Sequence, residues 1–263
     1  SILQFGHVAN TGNSTSTINA YTQGGGTAGN LALQNAGGNV GIGTAAPTEK
    51  LDVVGGDAKI NGLTLGRGAG DIASNTTLGV ASLGLNSTGD QNTAVGFSTL
   101  NSNTTGGLNT ALGRAALSSN TIGNYNSGIG ASTLENVVSG SDNSSIGYNS
   151  LGTLTTGSFN TSIGSRSGSG ITTGANNTIL GARVSGLAAT LSNNIIIADG
   201  EGNQRINVDA TGNVGIGIAS PLVKLQISTG AVDNTAQAAT DLTDFQNSLV
   251  TIHNQDVPSF KSV

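Results

Sequence analysis

Asn92-Thr-Ala-Val-Gly96 is followed 17 residues later by Asn109-Thr-Ala-Leu-Gly113, and this pattern of Asn, two small residues, an aliphatic residue and Gly recurs without insertion. Its seven copies begin at Asn75, Asn92, Asn109, Asn126, Asn143, Asn160 and Asn177. A degenerate eighth copy, Asn194-Ile-Ile-Ile-Ala198, follows in step. A fixed period indicates that each repeat is one supersecondary unit stacked on the last, so the sequence predicts a solenoid.

The composition suits a thin core. Of the 263 residues, 3% are aromatic, 9% are charged and 42 are Gly, while Cys, Met and Trp are absent. The chain therefore lacks the bulky side chains that usually fill a globular core. Its Val, Ile, Leu and Ala favour short strands whose small and β-branched side chains stack in columns.

Two kinds of column define the predicted coil, with positions counted from the Asn as position 0. The aliphatic residue at +3 is predicted to point inward and form the repeat core: Leu78, Val95, Leu112, Ile129, Ile146, Ile163, Leu180 and Ile197. The Gly at +4 is predicted to form a tight corner: Gly79, Gly96, Gly113, Gly130, Gly147, Gly164 and Gly181. A second inward column of Leu at +8 and a second Gly column at +14 complete an all-β, elongated parallel β-roll or β-solenoid with two or three short strands per coil.

Two polar columns allow more than one interpretation. The Asn at position 0 is predicted to bond to its neighbours up the stack or to close the corner through an Asx turn; a row of exposed amides for sugars is the alternative. The hydroxyl residue at +1, such as Thr93 or Thr110, shares a strand side with +3. We therefore expect it inside the coil or at a subunit seam. An outward hydroxyl column would instead favour ice binding.

A second motif flanks the array on both sides. Gly38-Asn-Val-Gly-Ile-Gly-Thr-Ala-Ala-Pro47 returns as Gly212-Asn-Val-Gly-Ile-Gly-Ile-Ala-Ser-Pro221, each followed by Lys-Leu and an alternating strand pattern. This predicts strand, Gly corner, Pro-bounded turn and strand. It is not a dinucleotide loop, because no helix pattern follows and the third Gly is missing.

The flanking block resembles a segment of bacteriophage tail fibres and related trimeric surface fibres, many of which end in an intramolecular chaperone of the endosialidase type. The array is similar to the head repeats of trimeric autotransporter adhesins, whose Ser-Val-Ala-Ile-Gly core is close to Asn92-Thr-Ala-Val-Gly96. Together the resemblances cover about residues 30–228. They imply an intertwined homotrimer in an extracellular fibre, located on a virion or at a cell surface.

The chain divides into five predicted segments. They are an N-terminal segment (1–37), the first block with a hairpin at Asn61-Gly62 (38–74), the array (75–198), the second block (199–232) and a trimerising or attachment segment (233–263). Leu242, Phe245, Leu249 and Ile252 have heptad spacing, which predicts a short C-terminal helix; a strand through 248–252 is the alternative.

Charge and motifs narrow the function. A net charge of −5 with nine dispersed Lys and Arg argues against nucleic acid, and no apolar run is long enough for membrane insertion. No catalytic, cofactor or metal motif is present, so we expect no enzyme activity. A glycan-cleaving tailspike, with Asp90, Glu135 and Asp142 meeting across a trimer, is a weaker alternative.

The sequence therefore predicts a structural, receptor-engaging trimeric fibre, specifically a phage tail fibre that attaches to a host without catalysis. Its partners would be a host surface glycan or protein and other virion or surface-assembly proteins. A bacterial adhesin or extracellular matrix filament is the alternative. Because the array repeats one polar pattern, we expect receptor contacts where repetition fails, in residues 1–30 and 233–263.

Overall fold

A computed structural model of the protein describes residues 39–42, 44 and 46–228. The chain forms two compact units, one ending at Ala58 and the other beginning at Lys59. Within the described residues, the only helix is a single 3-10 turn, Ala69–Asp71, and all other regular elements are β-strands. The predicted all-β class is confirmed. The predicted C-terminal helix and the N-terminal segment lie outside the described residues.

The first unit contains the first flanking block. Its strands β1 (Val40–Ile42) and β2 (Leu51–Val53) pair in parallel. The Val40 N–H donates to the Lys50 carbonyl at 3.0 Å, and the Asn39 amide donates to the Pro47 carbonyl at 3.1 Å. The block therefore forms the predicted strand, turn and strand, with the turn closed by an Asn side chain.

A hairpin of β3 (Ala58–Ile60) and β4 (Leu63–Gly66) opens the large sheet of the second unit. Asn61 and Gly62 between them have φ values of 50° and 81°. A type I′ turn requires a positive φ at both central residues, so the predicted hairpin is present.

Each repeat then contributes one short strand to a parallel stack. These strands are β5 (Thr76–Gly79), β6 (Thr93–Val95), β7 (Thr110–Leu112), β8 (Ser127–Ile129), β9 (Ser144–Ile146), β10 (Thr161–Ile163), β11 (Thr178–Leu180) and β12 (Ile195–Ala198). Every pair is in register at a separation of 17 residues, as in Thr93 opposite Thr110. The predicted β-solenoid is confirmed, with seven complete coils and the strand of an eighth.

The rest of each coil consists of turns, so the predicted second strand is absent from these coils. The +8 leucines have left-handed backbones, with φ between 46° and 53°. Their N–H groups still bond to the next coil, as from Leu100 to the Ala116 carbonyl at 3.1 Å. All five are fully buried, which confirms the predicted +8 column: Leu83, Leu100, Leu117, Leu134 and Leu151.

The prediction that the +3 aliphatics form the core is wrong. Seven of these side chains are 38–46% exposed: Leu78, Leu112, Ile129, Ile146, Ile163, Leu180 and Ile197. Val95 at the same position is partly buried. The inward residues are instead those at +2, all of which are buried: Thr77, Ala94, Ala111, Gly128, Ser145, Ser162, Ile179 and Ile196.

The reason is the narrow space inside a coil. A Cβ placed on Gly128 would lie 3.6 Å from the Leu117 side chain, so a leucine at +8 leaves room for little more than a methyl group at +2 of the next coil. Where +8 becomes Gly168, the next +2 residue is Ile179, whose Cδ1 lies 3.3 Å from the Cβ position of that glycine. A large residue in one inward column is therefore accompanied by a small one in the other.

The +4 glycines form the corner after each strand. From Gly96 onward all six have φ between 127° and 137°, and an added Cβ would approach the carbonyl oxygen of the next coil to 2.4–2.6 Å. Gly79 is the last residue of β5, and its Cβ would come within 2.0 Å of the Gly96 oxygen. A side chain at this corner would collide with the neighbouring backbone.

Antiparallel strands cover both ends of the parallel stack. β4 pairs with β5, and β13 (Gln204–Val208) pairs with β12. The second flanking block follows as β14 (Val214–Ile216) and β15 (Leu225–Ile227), a parallel pair like β1 and β2. These additions pair the edges that the stack would otherwise expose.

Candidate interaction surface

The position 0 asparagines bind the coils to one another. Along the stack, each backbone N–H donates to Oδ1 of the Asn 17 residues earlier, at 2.8–3.1 Å. The Asn109 amide also donates to the Gly123 carbonyl at 2.9 Å, which closes the coil. Every one of these residues is buried, so the predicted stacked amides are present and a row of exposed amides for sugars is not.

A second, shorter asparagine ladder lies at +11, and the sequence interpretation missed it. Asn103 donates to Oδ1 of Asn86, and Asn120 donates to Oδ1 of Asn103, both at 2.8 Å. The ladder stops because +11 in the next coil is Val137, which leaves Oδ1 of Asn120 buried without a partner. The spacing of 17 residues among these three asparagines was the available signal.

The outward side of β5–β12, here called the strand face, carries two parallel columns. One is the +3 aliphatic column, and the other is the +1 hydroxyl column of Thr76, Thr93, Thr110, Ser127, Ser144, Thr161 and Thr178. The expectation that the +1 hydroxyls line the coil interior is therefore wrong. Their outward position remains compatible with a subunit seam and with ice binding.

The strand face carries an extended apolar stripe, the +3 column. Eight aliphatic side chains follow one another at the spacing of paired strands, which makes the +3 column about 34 Å long. Single exposed apolar residues are ordinary on protein surfaces, but a continuous apolar stripe indicates a contact site. This surface is the strongest candidate for a functional interface.

Two variable columns border the strand face. The +16 column precedes each strand and contains Gln91, Leu108, Tyr125, Asp142, Phe159, Asn176 and Asn193. The +5 column follows each strand and contains Val80, Phe97, Arg114, Ala131, Tyr148, Ser165 and Ala182. The four aromatic side chains of these columns are 51–61% exposed. The Tyr148 ring also lies 5.6 Å from the guanidinium carbon of Arg166, a cation–π distance.

The carboxylates suggested for catalysis are not brought together within one chain. Asp90, Glu135 and Asp142 occupy positions +15, +9 and +16, and Asp90 and Asp142 are three coils apart. Among the residues that the structure describes, no cluster of three or more acidic or His side chains could hold a metal ion.

Two other carboxylates hold turns beyond the array. Asp199 accepts hydrogen bonds from the Asn203 amide, from Arg205 and from backbone N–H groups, and these bonds lower its pKa. Asp209 accepts from the Asn213 N–H and the Thr211 hydroxyl, which lowers its pKa as well. Their oxygens are occupied by turn contacts, so both residues have a structural role.

Comparison with protein-family models, with curated proteins and with solved structures finds no match for this chain. In the described part of the chain, no helix has the length and apolar character needed to cross a membrane. The strand face and its two bordering columns are therefore the features of the chain that bear on its function.

Proposed function

We propose that the chain is part of a homotrimeric fibre, specifically a bacteriophage tail fibre that attaches to a host surface glycan or protein without catalysis. The coarser statement, a β-solenoid suited to an elongated structural protein, follows from the stacked coils. The single observation that supports the trimer is the apolar column on the strand face. Three copies around an axis parallel to the stack would bury their +3 columns against one another.

The energetic gain favours association. Full burial of an aliphatic side chain contributes about 1.5–3 kcal/mol, so burying the exposed two-fifths of each +3 residue would contribute roughly 0.6–1.2 kcal/mol. The seven +3 residues that are 38–46% exposed give about 4–8 kcal/mol per chain before the entropic cost of association. The +1 hydroxyls beside them can hydrogen-bond across the seam.

The mass in solution tests the trimer. Sedimentation equilibrium should give three times the 25.7 kDa mass of one chain. The double variant Leu112→Glu/Ile163→Glu places charges on the strand face and should yield folded single chains. Thr156→Glu/Thr173→Glu is the control, because these residues are exposed at +13, away from the strand face, and it should remain trimeric. A single-chain mass for the unmodified protein would overturn the trimer.

Location tests the phage assignment. Gold-labelled antibody against the array, viewed by electron microscopy, should mark the tails of virus particles. Labelling of a bacterial envelope or of the material between cells would instead support the adhesin or matrix filament.

Ice binding is a second candidate, because the hydroxyl column is exposed beside the aliphatic column. It needs a strand face free of any partner, so it requires a single-chain protein. Inhibition of ice recrystallisation that Thr110→Tyr and Thr161→Tyr abolish would support ice binding. The trimer proposal expects no inhibition.

A further inference from the structure

We propose that the +16 column is a binding site for a linear, neutral polysaccharide. The inference deepens the proposed function and rests on it, since this site would be the host contact of the fibre. It places that contact within the array, at a position where the repeat pattern fails.

The backbone of the +16 column is fixed and uniform. The N–H of Tyr125 donates to the Gly107 carbonyl at 3.2 Å, and the N–H of Phe159 donates to the Ser141 carbonyl at 3.1 Å. All seven residues have φ between 54° and 60°. The side chains therefore leave the coil in one direction and lie in register along the stack.

The residue types at +16 are not explained by the coil. A left-handed backbone favours Gly, Asn or Asp, as in Asn176 and Asn193, and disfavours bulky residues. Tyr125 and Phe159 nevertheless occupy it, and they are 58% and 61% exposed, so they contribute little to the core. Leu108 and the +8 leucines share this conformation, so the backbone alone does not mark a site. The exposure of the two rings, which stabilises no core, points to a binding role.

The spacing and chemistry of the column fit a sugar chain. Tyr125 and Phe159 are two coils apart, about 9.6 Å, which is comparable to the length of a disaccharide unit. Aromatic rings pack against the C–H faces of pyranose rings, while carboxylate and amide groups bond to hydroxyls. Asp142 lies between the two aromatics, and Asn176 and Asn193 continue the column as exposed amides.

The charges of the side chains in and near the +16 column favour a neutral ligand. The +16 column contains Asp142 and no Lys or Arg. The arginines of the array, Arg114, Arg166 and Arg183, are at +5 and +6, at the other corner of the coil. Together with the net charge of −5, this arrangement disfavours an acidic polysaccharide on the +16 column.

Affinity electrophoresis of the full chain tests the proposed polysaccharide site. Native gels would contain laminarin, linear mannan, xylan or dextran as neutral probes, with polysialic acid as the acidic probe. At least one neutral probe should retard the protein. Tyr125→Asn/Phe159→Asn introduces the residue that the same column already carries at 176 and 193, and it should weaken that retardation at least tenfold.

The matched control is Phe97→Ala/Tyr148→Ala. It removes the same two residue types from the +5 column, where Ala131 and Ala182 are already present, and should change the affinity less than twofold. Circular dichroism would check that both variants are folded. The proposed site is refuted if no neutral probe retards the protein or if only polysialic acid does. It is also refuted if the two double variants lose affinity equally.

Sedimentation of the same samples separates the two proposals. A single-chain mass, together with retardation by a neutral polysaccharide that depends on Tyr125 and Phe159, would refute the trimer and support the polysaccharide site. A trimer that no neutral polysaccharide retards would refute the site and support the trimer.

Discussion

Ser145 and Ile146 are consecutive residues of β9 that face opposite sides of the strand: Ser145 is 1% exposed and Ile146 is 46% exposed. The polar residue therefore occupies the coil interior, and the aliphatic residue lies on the surface. The Ser145 hydroxyl is buried without a hydrogen-bond partner. A buried hydroxyl without a partner and an exposed aliphatic side chain both lower the stability of a single chain. Ser145 is therefore a position where substitution should improve stability.

Ser145→Ala should raise the free energy of unfolding by about 1 kcal/mol per chain, because it removes a buried hydroxyl that has no partner. Ala94 and Ala111 already occupy the same position in other coils. Ser162→Ala is the control, since Oγ of Ser162 accepts a hydrogen bond from Ser150 at 3.0 Å and its loss should not stabilise the fold. Urea unfolding followed by circular dichroism measures both, and an equal gain would contradict the explanation.

Asn177→Leu should lower stability by about 2–4 kcal/mol per chain, because one buried and one partly buried backbone group lose partners. The Asn177 amide donates to the Leu191 carbonyl at 2.7 Å, and its Oδ1 accepts from the Asn194 N–H at 3.1 Å. The neighbouring substitution Asn176→Leu affects an exposed +16 side chain, and Leu108 shows that the position accepts leucine. Thermal unfolding should separate the variants clearly; similar melting temperatures would refute the ladder as a stabilising element.

Gly130→Ala should destabilise the array by several kcal/mol, on the order of 3, because of strain and a steric clash. Gly130 has φ 130°, and an added Cβ would lie 2.6 Å from the Gly147 oxygen. Gly128→Ala is two residues away in the inward column, where its nearest neighbour would be the Thr133 methyl at 3.0 Å. Its melting temperature should stay within a few degrees of the unmodified protein; a loss equal to that of Gly130→Ala would contradict the corner assignment.

Acid should weaken the turns at Asp199 and Asp209. Their pKa values are lowered in the folded state, so each carboxylate contributes stability above its unfolded pKa of about 3.9. That contribution is lost as the pH falls from about 4 through the folded pKa values. Asp199→Asn/Asp209→Asn should be less stable than the unmodified protein at pH 7 and should lose less stability between pH 4 and pH 2. Parallel pH profiles in thermal unfolding would disprove this.

The architecture follows from local features of the sequence. An uninterrupted 17-residue period leaves stacked coils as the simplest solution, and Gly at +4 marks a corner because no side chain fits beside the next backbone. Asn61-Gly62 is sufficient for its turn because both residues accept a positive φ. The repeated flanking block gives a parallel strand pair twice, at β1–β2 and β14–β15.

The direction of the side chains was decided by tertiary packing. Alternation along a strand requires +1 and +3 to share one side and +2 to take the other, but it does not say which side is inside. Hydrophobicity favoured +3, as in Ile146. The volume of the +8 leucines decided for +2, because Leu117 leaves room opposite it for a residue such as Gly128 and for nothing as large as isoleucine. The sequence by itself therefore determined the period, the corners and the position 0 Asn ladder. The space inside the folded coil placed the aliphatic column on the surface.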